Sequence, residues 1–405
     1  MANNEQWVSR ARLCKAVVLS MVVAWTSGGI SSASAKDHAL TVLYSFDVAS
    51  GYGLSNLTAD KAGNLYGTTE FGGGGDCNGQ YGCGVVFKLA PDGTETALHV
   101  FTGGSDGGYP QAGVITDKAG NLYGTTTGGG AYGQGVIFKI APDNTETILY
   151  SFSANGMSPL FEGNLLRDRK NNLYGTVPNG GTFGAGAVYK LASDGTFVVL
   201  HSFDGSDGAY PYGGVVQDKA GNLYGTASQG GNNGCKGGGG CGLVFKLAPD
   251  GTYTALYTFT GGSDGYGPDA GLILDGQGNV YGTIENGGVY DGGVVFKITP
   301  NGTESALYSF GSGNDGYDPE CSLILNEAGD FYGTTRFGGA FGYGTVFKLT
   351  ADGIEKSLYS FTNGNDGSFP SSGVINGAAD GKGNLYGTVY VGGASGGGLI
   401  YRLRR

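Results

Sequence analysis

Glu70, Glu285, Arg336 and Tyr390 share one property: each stands four residues after the tyrosine of a recurring Tyr-Gly-Thr phrase. Thr127, Pro178 and Ser228 hold that place in the other copies. Carboxylates, a guanidinium and a phenol at equivalent points of a repeat can act in two ways. They can grip the hydroxyls of a sugar chain by bidentate acceptance and donation, or they can move protons. For hydrolysis, Glu70 and Glu285 would be acid and base. For elimination, Tyr390 held near Arg336 would take the proton. Phe71, Tyr81, Tyr290, Phe337, Phe341 and Tyr343 lie close by in sequence and would lend rings to the C–H faces of sugars. A solvated rim with scattered charges is the plain alternative.

Other chemistry has less to work with. The histidines are His38, His99 and His201, and the last two replace a tyrosine of the repeat. That leaves no Ser-His-Asp or Cys-His pairing beside the four variable positions and no histidine-rich metal cluster. Asp106, Asp207, Asp264, Asp315 and Asp366 recur in Gly-Ser/Asn-Asp-Gly loops. Such acids could attract calcium, although Asp-Gly in a loop also reads as an Asx-turn, and no other cofactor is expected. Cys77/Cys83 and Cys235/Cys241 form two Cys-x5-Cys pairs that read as short loop disulfides of an oxidising compartment. Five intervening residues exceed the usual zinc spacing, and Cys321 is left over.

The elements that must position these residues are short and repetitive. The repeat tyrosines are Tyr66, Tyr123, Tyr174, Tyr224, Tyr281, Tyr332 and Tyr386, spaced 50 to 57 residues apart. Each copy carries four runs rich in β-branched and aromatic residues; in the second copy they are 113–116, 121–126, 135–140 and 145–152. Runs of this length between Gly, Asp, Asn and Pro clusters are strands. Asp-x-x-Gly-Asn joins runs one and two, and Pro-Asp-Gly joins runs three and four, as in Pro91-Asp92-Gly93, both tight-turn chemistry. The other two connections are longer and variable, so they gather at the opposite end of each unit. A period near fifty with four strands predicts an all-β, seven-bladed β-propeller with four antiparallel strands per blade. The lone fourth-run copy at 39–46 would pair in the last blade and close the ring. Blades five, six, seven and one are then contiguous and would carry the four variable residues as one arc.

Residues identical in every copy are assigned to packing. The glycine of each Tyr-Gly-Thr is expected to let the next blade approach. Third-run lysines (Lys88, Lys139, Lys190, Lys246, Lys297, Lys348) are expected to pair across strands with Glu95, Glu146, Glu304 and Glu355. Long copies carrying the cysteine pairs alternate with two shorter ones, consistent with a three-blade duplication.

The strings Asp60-Lys61-Ala62-Gly63-Asn64-Leu65-Tyr66-Gly67-Thr68-Thr69 and Gly84-Val85-Val86-Phe87-Lys88-Leu89 resemble the GloVer tandem repeat of secreted bacterial proteins. The resemblance covers residues 39–403 and implies export and repeat architecture, with no assigned chemistry. The Asp-x-x-Gly-Asn turn is also similar to that of NHL, gluconolactonase and streptogramin-lyase propellers, which supports the fold alone.

Composition agrees with these expectations. Glycine supplies 84 of 405 residues without a three-residue period, which excludes collagen, and 40% hydrophobic residues exclude a disordered chain. Only 14% of residues are charged and the net charge is −11, which argues against nucleic acid and anionic membranes as partners. Arg10, Arg12 and Lys15 precede the apolar run 16–25 and a small-residue stretch ending Ala33-Ser34-Ala35. These mark residues 1–35 as a signal peptide cleaved after Ala35, with 36–405 as one propeller domain, secreted or periplasmic. The expected product is a monomer that binds a polysaccharide or surface polymer. The alternative is a polysaccharide-cleaving hydrolase or lyase acting through the same residues.

Overall fold

The computed structural model describes residues 39–405, apart from 75–76, 78–81, 154–156, 160–162, 232–233, 236–237, 312, 371 and 378–382. The signal peptide and its cleavage point lie outside the described residues. Regular structure in the described chain is entirely β, arranged as seven antiparallel sheets, the blades of a propeller. Blade two shows the unit: Ile115–Thr116, Leu122–Thr125, Val136–Ile140 and Glu146–Ser151. Blade one departs slightly, because its innermost strand is broken into Tyr52–Leu54 and Thr58–Ala59. Leu40–Asp47 adds as the outer strand of blade seven by pairing with Gly396–Leu403.

Local chemistry accounts for each edge of the unit. At the tight turn between strands one and two, Asp117 Oδ1 accepts the N–H groups of Ala119 and Asn121. Gly120 supplies the left-handed residue at φ 84°, where a side chain would be strained. The third strand reads Val-Ile-Phe-Lys-Ile in blade two and is buried on both faces except at the lysine. The fourth strand is the exposed outer edge, and a register shift between strands three and four recurs in each blade.

One aromatic contact closes every seam. The phenylalanine at the end of a fourth strand is fully buried and meets the third-strand ring of the next blade. Phe101–Phe138, Phe152–Tyr189, Phe203–Phe245, Phe259–Phe296, Phe310–Phe347 and Phe361–Tyr401 have centroids 5.0–5.6 Å apart, mostly edge-on. Phe46 of Leu40–Asp47 makes the equivalent contact to Phe87 of blade one at 5.1 Å. Each buried phenylalanine stabilises the fold by roughly 1.5–3 kcal/mol, so the seven seams are a large part of the core.

Two packing expectations need correction. The repeat glycine makes room inside its own blade. A Cβ on Gly282 would lie 2.7 Å from Phe296 Cζ and 2.9 Å from Leu272, both in blade five. The third-strand lysines face threonine, serine, valine or another lysine across the ladder, as in Lys88↔Thr96 and Lys348↔Lys356, while Glu95 faces Leu89. The fourth-strand glutamates turn instead into the seam. Glu146 comes within 3.6 Å of His99, which also lies 3.6 Å from Asp106. Burial raises Glu146 to about 7, with the charge of Asp106 adding to the effect.

Candidate carboxylate and aromatic site on the loop face

The second strands end on the loop face, and the loop entering each blade is pinned there. Arg336 N–H donates to the carbonyl of Asp318 (3.0 Å), and Tyr390 N–H donates to that of Phe369 (3.2 Å). The residue before the loop proline is held at positive φ: Tyr109 59°, Tyr210 54°, Asp318 65° and Phe369 57°. Left-handed backbone is costly for residues with a Cβ, so the loop proline and the pinning bonds hold strain at this face.

The four variable residues fall into two contact groups. Glu70 is buried and accepts a hydrogen bond from Gln111 Nε2 at 2.8 Å. Glu70 and Tyr390 both crowd Gly53 (φ 72°). A Cβ there would lie 3.0 Å from Glu70 Cβ and 3.6 Å from Tyr390 Cε2. Glu285 and Arg336 meet through two acids of the intervening loop, Asp318 and Glu320. Arg336 Nη1 donates to Glu320 Oε1 at 2.6 Å. Glu285 accepts from Asn286 Nδ2 at 2.7 Å. Carboxylate oxygens of Glu285, Asp318 and Glu320 all lie within 4.8 Å of one another, a donor set that could hold a hard cation.

Electrostatics decides how three acids share so little space. Burial, then the charges of Glu320 and Glu285, push Asp318 up to about 9 against the pull of Arg336. Burial and Glu320 also raise Glu285, while hydrogen bonds from Asn286 and Asp318 oppose the rise. Burial and mutual repulsion thus favour the protonated form of both Asp318 and Glu285, which share a hydrogen bond. The cluster sets a hydrogen-bonded pair of carboxyl groups beside a guanidinium.

Aromatic rings extend the site unevenly. Phe337 stacks on Tyr317 (5.5 Å) and meets Phe369 edge-on (5.3 Å), with the Arg336 guanidinium 5.2 Å from its ring. Phe71 stacks on Tyr52 (4.7 Å) and meets Tyr109 at 5.6 Å. Tyr343 packs 6.0 Å from Phe369. Tyr290 and Phe341 are exposed on loop tips that lean over fourth-strand serines. The contacts are Val289 N–H to Ser309 Oγ and Ala340 N–H to Ser360 Oγ. These two rings belong to the outer rim, apart from the acids. Tyr81 lies outside the described residues.

The structural residues are also accounted for. Cys77–Cys83 and Cys235–Cys241 form disulfides, each packed against a loop glycine, Gly103 or Gly261, and Cys321 is buried and belongs to neither bridge. The loop aspartates are held by their own surroundings. Asp264 accepts from Tyr257, Thr260 and Gly262, and Asp366 accepts from Tyr359, Thr362 and Gly364. His201 Nε2 contacts Asp207 at 2.9 Å. No described helix is long and apolar enough to cross a membrane.

A family model, the Gloeobacter/Verrucomicrobia repeat, matches residues 75–277 and 235–405. The chain belongs to this family. Among solved structures, the Gloeobacter/Verrucomicrobia repeat chain resembles the extracellular domain of a protein described as a one-component system from B. thetaiotaomicron. Identity is 12% and the TM-score 0.54, over 88% of this chain and 39% of that one. It also resembles a gluconolactonase from Xanthomonas campestris (14%, TM-score 0.45, 90% and 89% covered). A luciferin-regenerating enzyme matches at 12% identity with a TM-score of 0.46, over 91% and 95% of the two chains. No curated protein matches. At these identities the likenesses describe the fold alone.

In this repeat protein, sequence reasoning missed Asp318 and Glu320. Their signal was present in the loop phrase ending in proline. The flanking pair reads Tyr109/Gln111, Tyr210/Tyr212, Gly267/Asp269 and Asp318/Glu320. Only one of these places acids on both sides of the proline.

Proposed function

We propose that this protein is an exported propeller whose loop face binds a polysaccharide or surface polymer. The observation carrying this reading is the Glu285–Asp318–Glu320–Arg336 cluster beside the half-exposed Tyr317–Phe337 stack. Sugars need donors and acceptors for their hydroxyls and flat rings for their C–H faces, and this cluster supplies both. Two disulfides suit an oxidising compartment.

The test is retention of the protein comprising residues 36–405 on a panel of plant, algal and bacterial polysaccharides. Retention on at least one polymer is expected. Arg336→Gln should weaken it at least tenfold, about the cost of one charged hydrogen bond. No retention on any polymer would remove the reading. Cleavage is the second reading, favoured by two neighbouring carboxyls, Glu285 and Asp318, both pushed up by burial, as a catalytic acid requires. New reducing ends that vanish in Glu285→Gln would establish it.

A further inference from the structure

Seven blades offer seven chances to place an aromatic pair where the second strand meets the incoming loop. Five copies decline it. The facing residues there include Gly108↔Gly128, Ala209↔Gln229, Tyr266↔Asn286 and Ser368↔Val391. Blades one and six instead pair Tyr52↔Phe71 and Tyr317↔Phe337. Both pairs are stacked, at 17° and 21° between planes. Both receive a third ring edge-on from the residue before the loop proline of the next blade, Tyr109 or Phe369. None of the six rings is buried, although a core would hide them. Each triad also stands beside a charged residue at the strand end, Glu70 or Arg336. Repeat equivalence puts both triads on the loop face, with only blade seven and Tyr390 between them.

We infer that the two triads are paired platforms for one extended carbohydrate chain, which lies across blade seven and stacks a sugar on each. This rests on the polysaccharide reading above and narrows it: the ligand is an internal stretch of polymer, and neither a small sugar nor a chain end. A chain touching one platform raises its effective concentration at the other, so affinity should rise by a step once the oligomer is long enough.

The probes are cello-, xylo-, chito- and oligogalacturonate ladders from disaccharide to decasaccharide, titrated calorimetrically against residues 36–405. The variants Phe71→Asn and Phe337→Asn carry a residue found at this position in sister blades. Expected is a step of roughly 100-fold between short and long members of one ladder. Either variant should abolish the step, so that long members bind no more tightly than short ones, while the protein still melts in one cooperative transition. Equal affinity for short and long members, or a step that survives either variant, overturns the two-platform inference and leaves polysaccharide binding standing. Absence of binding across every ladder overturns both.

Discussion

At the tight-turn end of blades one to five the same side chains meet in the same way. Asp60, Asp117, Asp168, Asp218 and Asp275 each accept from an asparagine amide at 2.6–2.8 Å. Each also accepts from the repeat tyrosine at 3.0–3.1 Å. At the loop end the seven equivalent positions diverge: Thr127 and Ser228 simply donate to the carbonyls of Tyr109 and Tyr210, and others do not. One gathers three carboxyls and an arginine, and two gather stacked rings. The first end answers a requirement every blade shares, a turn whose donors must be satisfied. The second is free of that requirement, so its departures from the repeat carry information that its regularities do not.

The sharpest way to break this contrast uses two residues of one strand. Gly282 and Glu285 both belong to the second strand of blade five, whose regular part spans Val280–Ile284. Gly282→Ala forces a methyl against Phe296 and Leu272, so a loss of about 3 kcal/mol of stability is expected, with polysaccharide retention intact below the melting transition. Glu285→Gln should do the reverse, lowering retention while the melting temperature holds or rises. Thermal melts and retention measured on both variants check this. Loss of retention in Gly282→Ala without a fall in melting temperature would mean that the repeat itself is the site.

A smaller effect probes the outer seams, which lie between the two extremes. Glu304 and Glu355 are raised to about 7 and about 8 by burial, helped by Asp264 and Asp315. One carboxylate oxygen of each is buried without a hydrogen-bond partner. Tyr257 and Tyr308 complete these clusters through their bonds to the aspartates. The folded state thus holds protons that the unfolded chain releases near its ordinary value of 4.5. Stability therefore declines as pH climbs from that value through the folded values, then levels off. The double variant Glu304→Gln/Glu355→Gln should melt like the parent near pH 4 and several degrees higher near pH 9. Equal melting of the two proteins at both pH values would show that these seams tolerate the charge.

The fold was legible because propeller strands are local: four short apolar runs and two turn phrases, repeated, leave little choice of architecture. The packing of individual residues was less so. Gly282 looked like an interblade contact because periodicity cannot say which neighbour a missing Cβ makes room for. Of the proposed site, Glu285 and Arg336 stand out by their departure from the repeat, yet the acids joining them do not. Asp318 and Glu320 are distant from both in sequence or register, and only the loop's strained crossing brings them together. Tyr290 and Phe341 illustrate the opposite, since exposed rings near a proposed site in sequence can lie on the outer rim in space.

Blade six supplies the smallest and most discriminating test, because its tight-turn end breaks the rule too. Asparagine and aspartate have exchanged places, so Asn326 stands where the other turns have the acid, and Asp330 pairs with Lys348 at 2.8 Å. Tyr332 loses its carboxylate partner, with only Asn326 Nδ2 at 3.5 Å, and the Arg405 guanidinium lies 4.0 Å over its ring. A cavity of about 260 Å³ is lined there by Tyr332, Lys348, Lys356, Leu358 and Arg405. Exchanging the two residues back, as Asn326→Asp with Asp330→Asn, returns an acceptor to Tyr332 and removes the partner of Lys348. These changes oppose each other, so stability should move by less than about 1 kcal/mol. The exchanged protein should gain more from added salt than the parent, because Lys348, Lys356 and Arg405 are left closer to mutual repulsion. Polysaccharide retention should not change. If it falls, the tight-turn end of blade six takes part in recognition, and departure from the repeat signals function at either end of a blade.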